Sequence, residues 1–187
     1  MKKLNAFLFK KRAGKYLAAN YRERKFVNYE NAKTVLILFE SDYSEKNVAI
    51  RRIIQTLQQD GKKVSAWGYA GKKDVATAVL PDFRILHRKD VDFSEKPVKS
   101  YIADLEGSEF DLLVDLSARA LIPLQYMALY ARAACKAGIS KTELPVYDFV
   151  LDVGNVEVNP ESPESPTEEL YLFNQIIFYL KSIQTND

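Results

Sequence analysis

The sequence predicts an α/β fold in which one mostly parallel sheet is covered by helices on both faces. Three apolar runs carry this reading: Lys33–Asp42, Phe110–Ser117 and Tyr147–Val153. Each is apolar on both faces, ends in acidic residues and is followed by a helical pattern. Strands buried on both faces that alternate with helices belong to a parallel sheet between helical layers. The second observation is the regular β-α-β-α order, which favours right-handed crossovers. The third is a helical amino terminus set apart by its charge. Residues 1–25 carry nine Lys or Arg against the single acid Glu23.

The elements follow in order. Residues 3–25 read as a helix with Leu4, Phe7, Leu8, Leu17, Ala18 and Tyr21 as its apolar stripe. The first strand covers 34–40. A helix then begins at Asp42 or Ser44, with Glu45 completing a capping box, and buries Ala49, Ile50, Ile53, Ile54 and Leu57. It ends at Asp60-Gly61. Strands follow at Val64–Tyr69 and Phe83–His87, separated by a helical or irregular stretch over 72–82. After a loop at 88–92, a helix opened by Pro97 inserts Val98, Tyr101, Ile102 and Leu105 and closes at Gly107. The fourth strand is 110–116. Pro123 opens a helix that buries Leu124, Met127, Ala128 and Ala131. A short fifth strand runs through Cys135 to Gly138, and a sixth covers 146–153. The Pro-rich stretch 154–166 is irregular. Ser165 then caps a last helix whose first residue is Pro166. Leu113 and Val150 are expected in central strands, nearly fully buried. The architecture is Rossmann-like or flavodoxin-like, with residues 1–30 a basic helical arm packed on a single domain, 31–187.

At 187 residues with 47% hydrophobic content, the chain can bury a full core. No apolar run approaches the ~20 residues that span a bilayer. The apolar stretch near the amino terminus is shorter than a secretory core. With Cys135 as the only cysteine, no disulfide framework forms. These features place the protein in the cytoplasm. The net charge of +2 combines the basic start with an acidic remainder. Either the arm meets a polyanion, RNA or anionic lipid, or it neutralises its own acidic body. The second is favoured, because its apolar stripe needs cover from water. Polyanion contacts, if made, fall to Lys10, Lys11, Arg12, Lys15, Arg22 and Arg24.

Ligands of open parallel sheets bind beyond the carboxyl ends of the strands, where strand order reverses. Those ends carry Glu40, Ser41, Asp42, Tyr69, Asp115, Ser117, Asp152 and Asn155. Such carboxylates either hold a cation and move protons, or cap the following helices. Capping is the favoured reading, and Asp115 fits it least well because its helix begins several residues later. The turn after the first strand, Glu40 to Glu45, has no glycine and three acids, so it repels phosphate and argues against a dinucleotide or triphosphate. One His and one Cys cannot build an imidazole or thiolate metal centre. No cofactor and no metal are assigned, and an oxygen-only Mg²⁺ or Ca²⁺ site stays open. The eleven tyrosines read as core-edging residues with wet hydroxyls.

Two resemblances add to this. Glu109–Ser117, followed by Leu124–Gly138, resembles the amino-terminal domain of heptosyltransferase-like glycosyltransferases. There, a strand ending in Asp-Leu precedes a helix and a strand that closes on glycine. The chain lacks that family's Gly-Asp turn and is too short for its nucleotide-sugar domain, so the resemblance implies a shared half-fold without transferase activity. The whole chain more closely resembles an uncharacterised family of small Bacteroidetes proteins. This resemblance rests on the basic start, Phe110–Ser117 with Leu121–Tyr126, Tyr147–Asp152 and Glu168–Leu180, and it implies a bacterial setting but no function. The sequence thus reads as a non-catalytic α/β domain that binds a protein or other macromolecule. The alternatives are a small-ligand site or enzyme at the strand ends, and polyanion binding through the arm.

Overall fold

A computed structural model describes residues 2–22, 26–41, 45–71, 83–139, 143–152 and 167–183, without the side chains of Lys2 and Glu45. Among them, six strands form one sheet: β1 Thr34–Glu40, β2 Lys63–Ala70, β3 Phe83–His87, β4 Glu109–Asp115, β5 Arg132–Ile139 and β6 Phe149–Leu151. Every pairing is parallel, in the order β3-β2-β1-β4-β5-β6. The order reverses between β1 and β4, where Val35 lies beside Leu112 and Leu38 beside Asp115. Five helices accompany the sheet: α1 Lys2–Ala19, α2 Glu45–Gln59, α3 Lys99–Glu106, α4 Ile122–Tyr130 and α5 Glu168–Ser182.

Strand alternation divides the core. Val35, Ile37 and Phe39 pack with Ile50, Ile53 and Leu57 of α2 and Phe173, Ile176 and Leu180 of α5. Leu36, Leu38 and Leu113 face α3 and α4. All nine residues of α4 are buried, because α1 lies over its outer side. Phe9 meets Tyr126 edge-on at 4.8 Å, and Tyr16 meets Tyr130 at 4.7 Å. α1 is therefore a third layer on that face.

The arm buries only part of the stripe the sequence suggested: Leu17 is half-buried against the cluster around α4, and Leu8 is half-buried. The arm's inner face is Asn5, Phe9 and Ala13, whereas Leu4, Phe7 and Tyr21 are exposed. The helix also stops at Ala19 rather than continuing to 25. Apolar residues occur on two sides of this helix, and periodicity alone missed Phe9 and Ala13 and took Leu4 and Phe7 for the buried side. The contact that decides it is the aromatic packing on α4.

The other differences are local. The fifth strand is eight residues long, and the sixth is reduced to three at the sheet edge. Val150 is accordingly 46% exposed, whereas Leu113 is fully buried as expected. The apolar run at 146–153 signalled burial, but Val146 and Tyr147 are buried before the strand begins. The loop at 88–92 contains a 3₁₀ turn, and α3 starts after Val98 rather than at Pro97. Thr167 occupies the cap position of α5 as described, and Ser165 and Pro166 lie outside the described residues. Tyr126 is completely buried, not wet, with its hydroxyl beside the Arg12 guanidinium but outside hydrogen-bond geometry. Gly61 ends α2 with φ +75°, a conformation that favours glycine. Residues 72–82, expected to be helical or irregular, and 154–166, expected to be irregular, lie outside the described residues.

Burial separates two substitutions. Leu113→Ala should lower the unfolding free energy by about 2–5 kcal/mol through lost transfer energy and a residual cavity. Val150→Ala, on the exposed edge, should change it by less than about 0.5 kcal/mol. Urea unfolding of the two variants checks this, and equal losses would contradict the edge placement.

Candidate functional site at the strand carboxyl ends

The reversal between β1 and β4 brings Glu40, Ser41, Asp115 and Ser117 to neighbouring strand ends, yet the two carboxylates serve separate partners. Glu40 accepts a two-pronged bond from Arg119, with Nε at 3.1 Å and Nη2 on the other oxygen. Lys46 Nζ lies 3.2 Å from Glu40 and 3.2 Å from the buried Glu169. This cation joins the end of β1 and the first turn of α2 to the first turn of α5. Opposite charges so placed hold three elements in register, and the partial burial of Glu40 and Glu169 limits solvent screening.

Ser41 Oγ donates to Asn47 Oδ1 at 3.0 Å, fixing the start of α2. Asp115 is wholly buried. Its Oδ1 accepts from the Ser117 amide at 2.9 Å and from the Ser117 hydroxyl at 2.5 Å. Its Oδ2 accepts from the Tyr147 hydroxyl. Burial, and then the Asp115 charge, push the Tyr147 phenol well above its ordinary range. Tyr147 reaches that position over Gly138, where a Cβ would come within 2.9 Å of its ring. Asp115 is thus a buried turn and tie residue rather than a helix cap. Asp152 is exposed at the β6 edge, three strands or about 14 Å from β1. Asp42 and Asn155 lie outside the described residues. Among the described residues, no group of three or more His, Cys, Asp or Glu is placed to hold a metal ion.

Beside these ties lies a crevice of about 510 Å³. Its floor is Phe9, Leu121, Ile122 and Pro123, with Ala6 and Ala120 at the sides. Tyr69, Gln125, Lys10, Glu95 and Glu143 bring polar groups. Of the sequence-selected strand-end residues that are described, only Tyr69 lines it. Its phenol is raised by burial, against the nearby Arg88. Arg88 also bonds Glu95 at 3.2 Å, and Glu95 holds a left-handed φ of 62°. A side chain at such a φ is strained, and strain of this kind collects at ligand-binding positions.

The arm's cations differ in use. Lys10 pairs with Glu143 across the crevice, and Arg12 donates to Ser94. Arg22 donates through Nη2 to both carboxylate oxygens of Asp148 and through Nη1 to the carbonyls of Ala133 and Ala134. Lys11 and Lys15 are exposed. Arg24 lies outside the described residues. Arg119, Lys46 and Tyr147 escaped the sequence reading, because each meets a residue distant in sequence, and Gln125 escaped it because only the fold brings it to the crevice. The small residue at Gly138 was the one visible hint.

The family model of unknown function DUF6913 matches residues 6–182. The chain belongs to that family. No curated protein matches this family member. Among solved structures, "E. coli heptosyltransferase WaaC with ADP" is similar, with a TM-score of 0.46 and 14% identity. That match covers 82% of the DUF6913 chain and 50% of the other, so this chain spans about half the length of that protein. The likeness is too distant to speak for the chemistry of this DUF6913 chain.

A buried cation beneath the sheet supplies a pH test. Lys136 Nζ donates to the carbonyls of Ala128 and Leu129 at the end of α4. Burial, reinforced by Arg22 and opposed by Asp148, lowers its pKa to about 7. The unfolded chain therefore binds more protons above that pH, and stability rises as pH increases from about 7 toward 10. Tyr147 acts in the opposite sense: its raised folded pKa erodes stability as pH climbs past about 10. Lys136→Met should flatten the rise between pH 7 and 10 in urea unfolding. An unchanged slope would contradict the assignment.

Proposed function

We propose that this DUF6913 chain is a non-catalytic binding domain that receives a protein partner in the crevice at the sheet's carboxyl end. The observation that carries this reading is the internal use of the strand-end acids. Glu40 is held by Arg119 and Lys46, and Asp115 by Ser117 and Tyr147. Carboxylates engaged in this way by internal partners are poorly placed to reach a reacting group of a bound substrate. Beside them, an apolar floor with a polar rim suits an anchoring side chain of a partner segment.

We also take residues 1–30 as an arm on the 31–187 body and place the protein in the cytoplasm of a bacterium related to the Bacteroidetes. The first rests on the packing of α1 over α4, the second on sequence resemblance. No helix among the described residues is long and apolar enough to cross a membrane.

A second reading, a small organic ligand in the same crevice, is favoured by the left-handed Glu95 at its rim. The two separate in one design. Ala6 and Ala120 are exposed on the crevice walls, so Ala6→Trp and Ala120→Trp fill it without disturbing the core. Random-peptide display on the native chain should enrich sequences with an apolar anchor, and both variants should weaken those peptides more than tenfold. Peptides that bind the filled variants equally well would overturn the protein-partner reading. Stabilisation by a small metabolite, about 2.7 kcal/mol at one hundred times its Kd, with no peptide enrichment, would favour the second.

A further inference from the structure

The outer face of α1 is unlike an ordinary solvent face. On a helix of 3.6 residues per turn, Lys3, Leu4, Phe7, Lys10, Lys11 and Lys15 fall within one arc of about 140°, opposite the Phe9–Ala13 face that packs on α4. All six are exposed, Leu4 by 56% and Phe7 by 63%. No acidic residue occurs anywhere in α1. The cover needed for α4 accounts for the inner face and leaves the outer Leu–Phe pair, flanked by four lysines, unexplained.

We propose that the outer face of α1 docks on an anionic lipid surface, with Leu4 and Phe7 inserted at the level of the headgroups and the lysines against the lipid phosphates and carboxylates. A helix lying in the interface needs this combination, an apolar strip bordered by flexible cations. Charge complementarity selects the occupant: α1 puts four lysines and no acid on this face, with Glu143 reaching it at Lys10, and the cytoplasmic leaflet carries anionic lipid. Nucleic acid is a poorer fit. Arg12 and Arg22, the arginines best shaped for bidentate phosphate contacts, are turned to Ser94 and Asp148. Leu4 offers a nucleic-acid backbone nothing. This surface is separate from the crevice floor, although Lys10 borders both.

The test is flotation of the full chain with phosphatidylcholine vesicles, with and without about 30 mol% phosphatidylserine as the anionic component. Binding should require phosphatidylserine and fall steeply with added salt. Each lysine near such a surface strengthens binding about fivefold, so Lys3→Gln/Lys11→Gln/Lys15→Gln should weaken it by about a hundredfold. Leu4→Ser/Phe7→Ser should also abolish retention at intermediate salt. Circular dichroism should be unchanged in both, since the altered side chains are exposed. In Phe7→Trp, the added indole emission should shift to the blue on vesicles and be quenched by brominated acyl chains. Failure to bind, equal binding to neutral vesicles, retention that survives Leu4→Ser/Phe7→Ser, or preference for a short RNA over the vesicles would each overturn the proposal.

Discussion

α4 is the constraint on which the rest of this structure depends. Its sequence, Ile122–Tyr130, is apolar on every side, so it cannot lie on the sheet with one face in water. The sheet covers one side through Leu36, Leu38 and Leu113, and α1 covers the other with Phe9 and Ala13. The edge-on Phe9–Tyr126 and Tyr16–Tyr130 pairs add about 0.5–1.5 kcal/mol each beyond their buried area. A basic helix that looks like an appendage in sequence is therefore part of the core.

The same placement shapes the functional end. Because α1 runs alongside α4, Ala6, Phe9 and Lys10 line the crevice together with the start of α4 and Tyr69 of β2. The strand-end acids serve construction. Lys46 and Arg119 bind Glu40 across β1, α2 and the loop after β4, and Tyr147 reaches over Gly138 to Asp115. Binding remains open to such a site once its carboxylates have become internal ties.

The sheet was legible in the sequence wherever burial is two-sided. Thr34–Glu40 and Glu109–Asp115 are near-continuous apolar runs, and the parallel pairing that follows from them is observed. The edge strand was not, since Tyr147–Val153 is as apolar as a central strand, although Val146 and Tyr147 are buried ahead of β6 while Val150 faces outward. The inward face of α1 was not legible either. Leu4 and Phe7 compete with Phe9 for burial, and the choice depends on where Tyr126 lies. At the site, the sequence named Glu40, Asp115, Ser117 and Tyr69 but, apart from Ser117 on Asp115, none of the partners that determine their chemistry. Lys46, Arg119 and Tyr147 meet them only through the tertiary fold.

The central claim, that α1 is core on the side facing α4 and bare on the other, is most directly tested by urea unfolding of Phe9→Ala and Phe7→Ala in the full chain. Both remove the same side chain from the same helix. Phe9→Ala should lose about 3–5 kcal/mol, and Phe7→Ala should stay within about 0.5 kcal/mol of the native chain. Equal losses, or a larger loss at Phe7, would contradict the account.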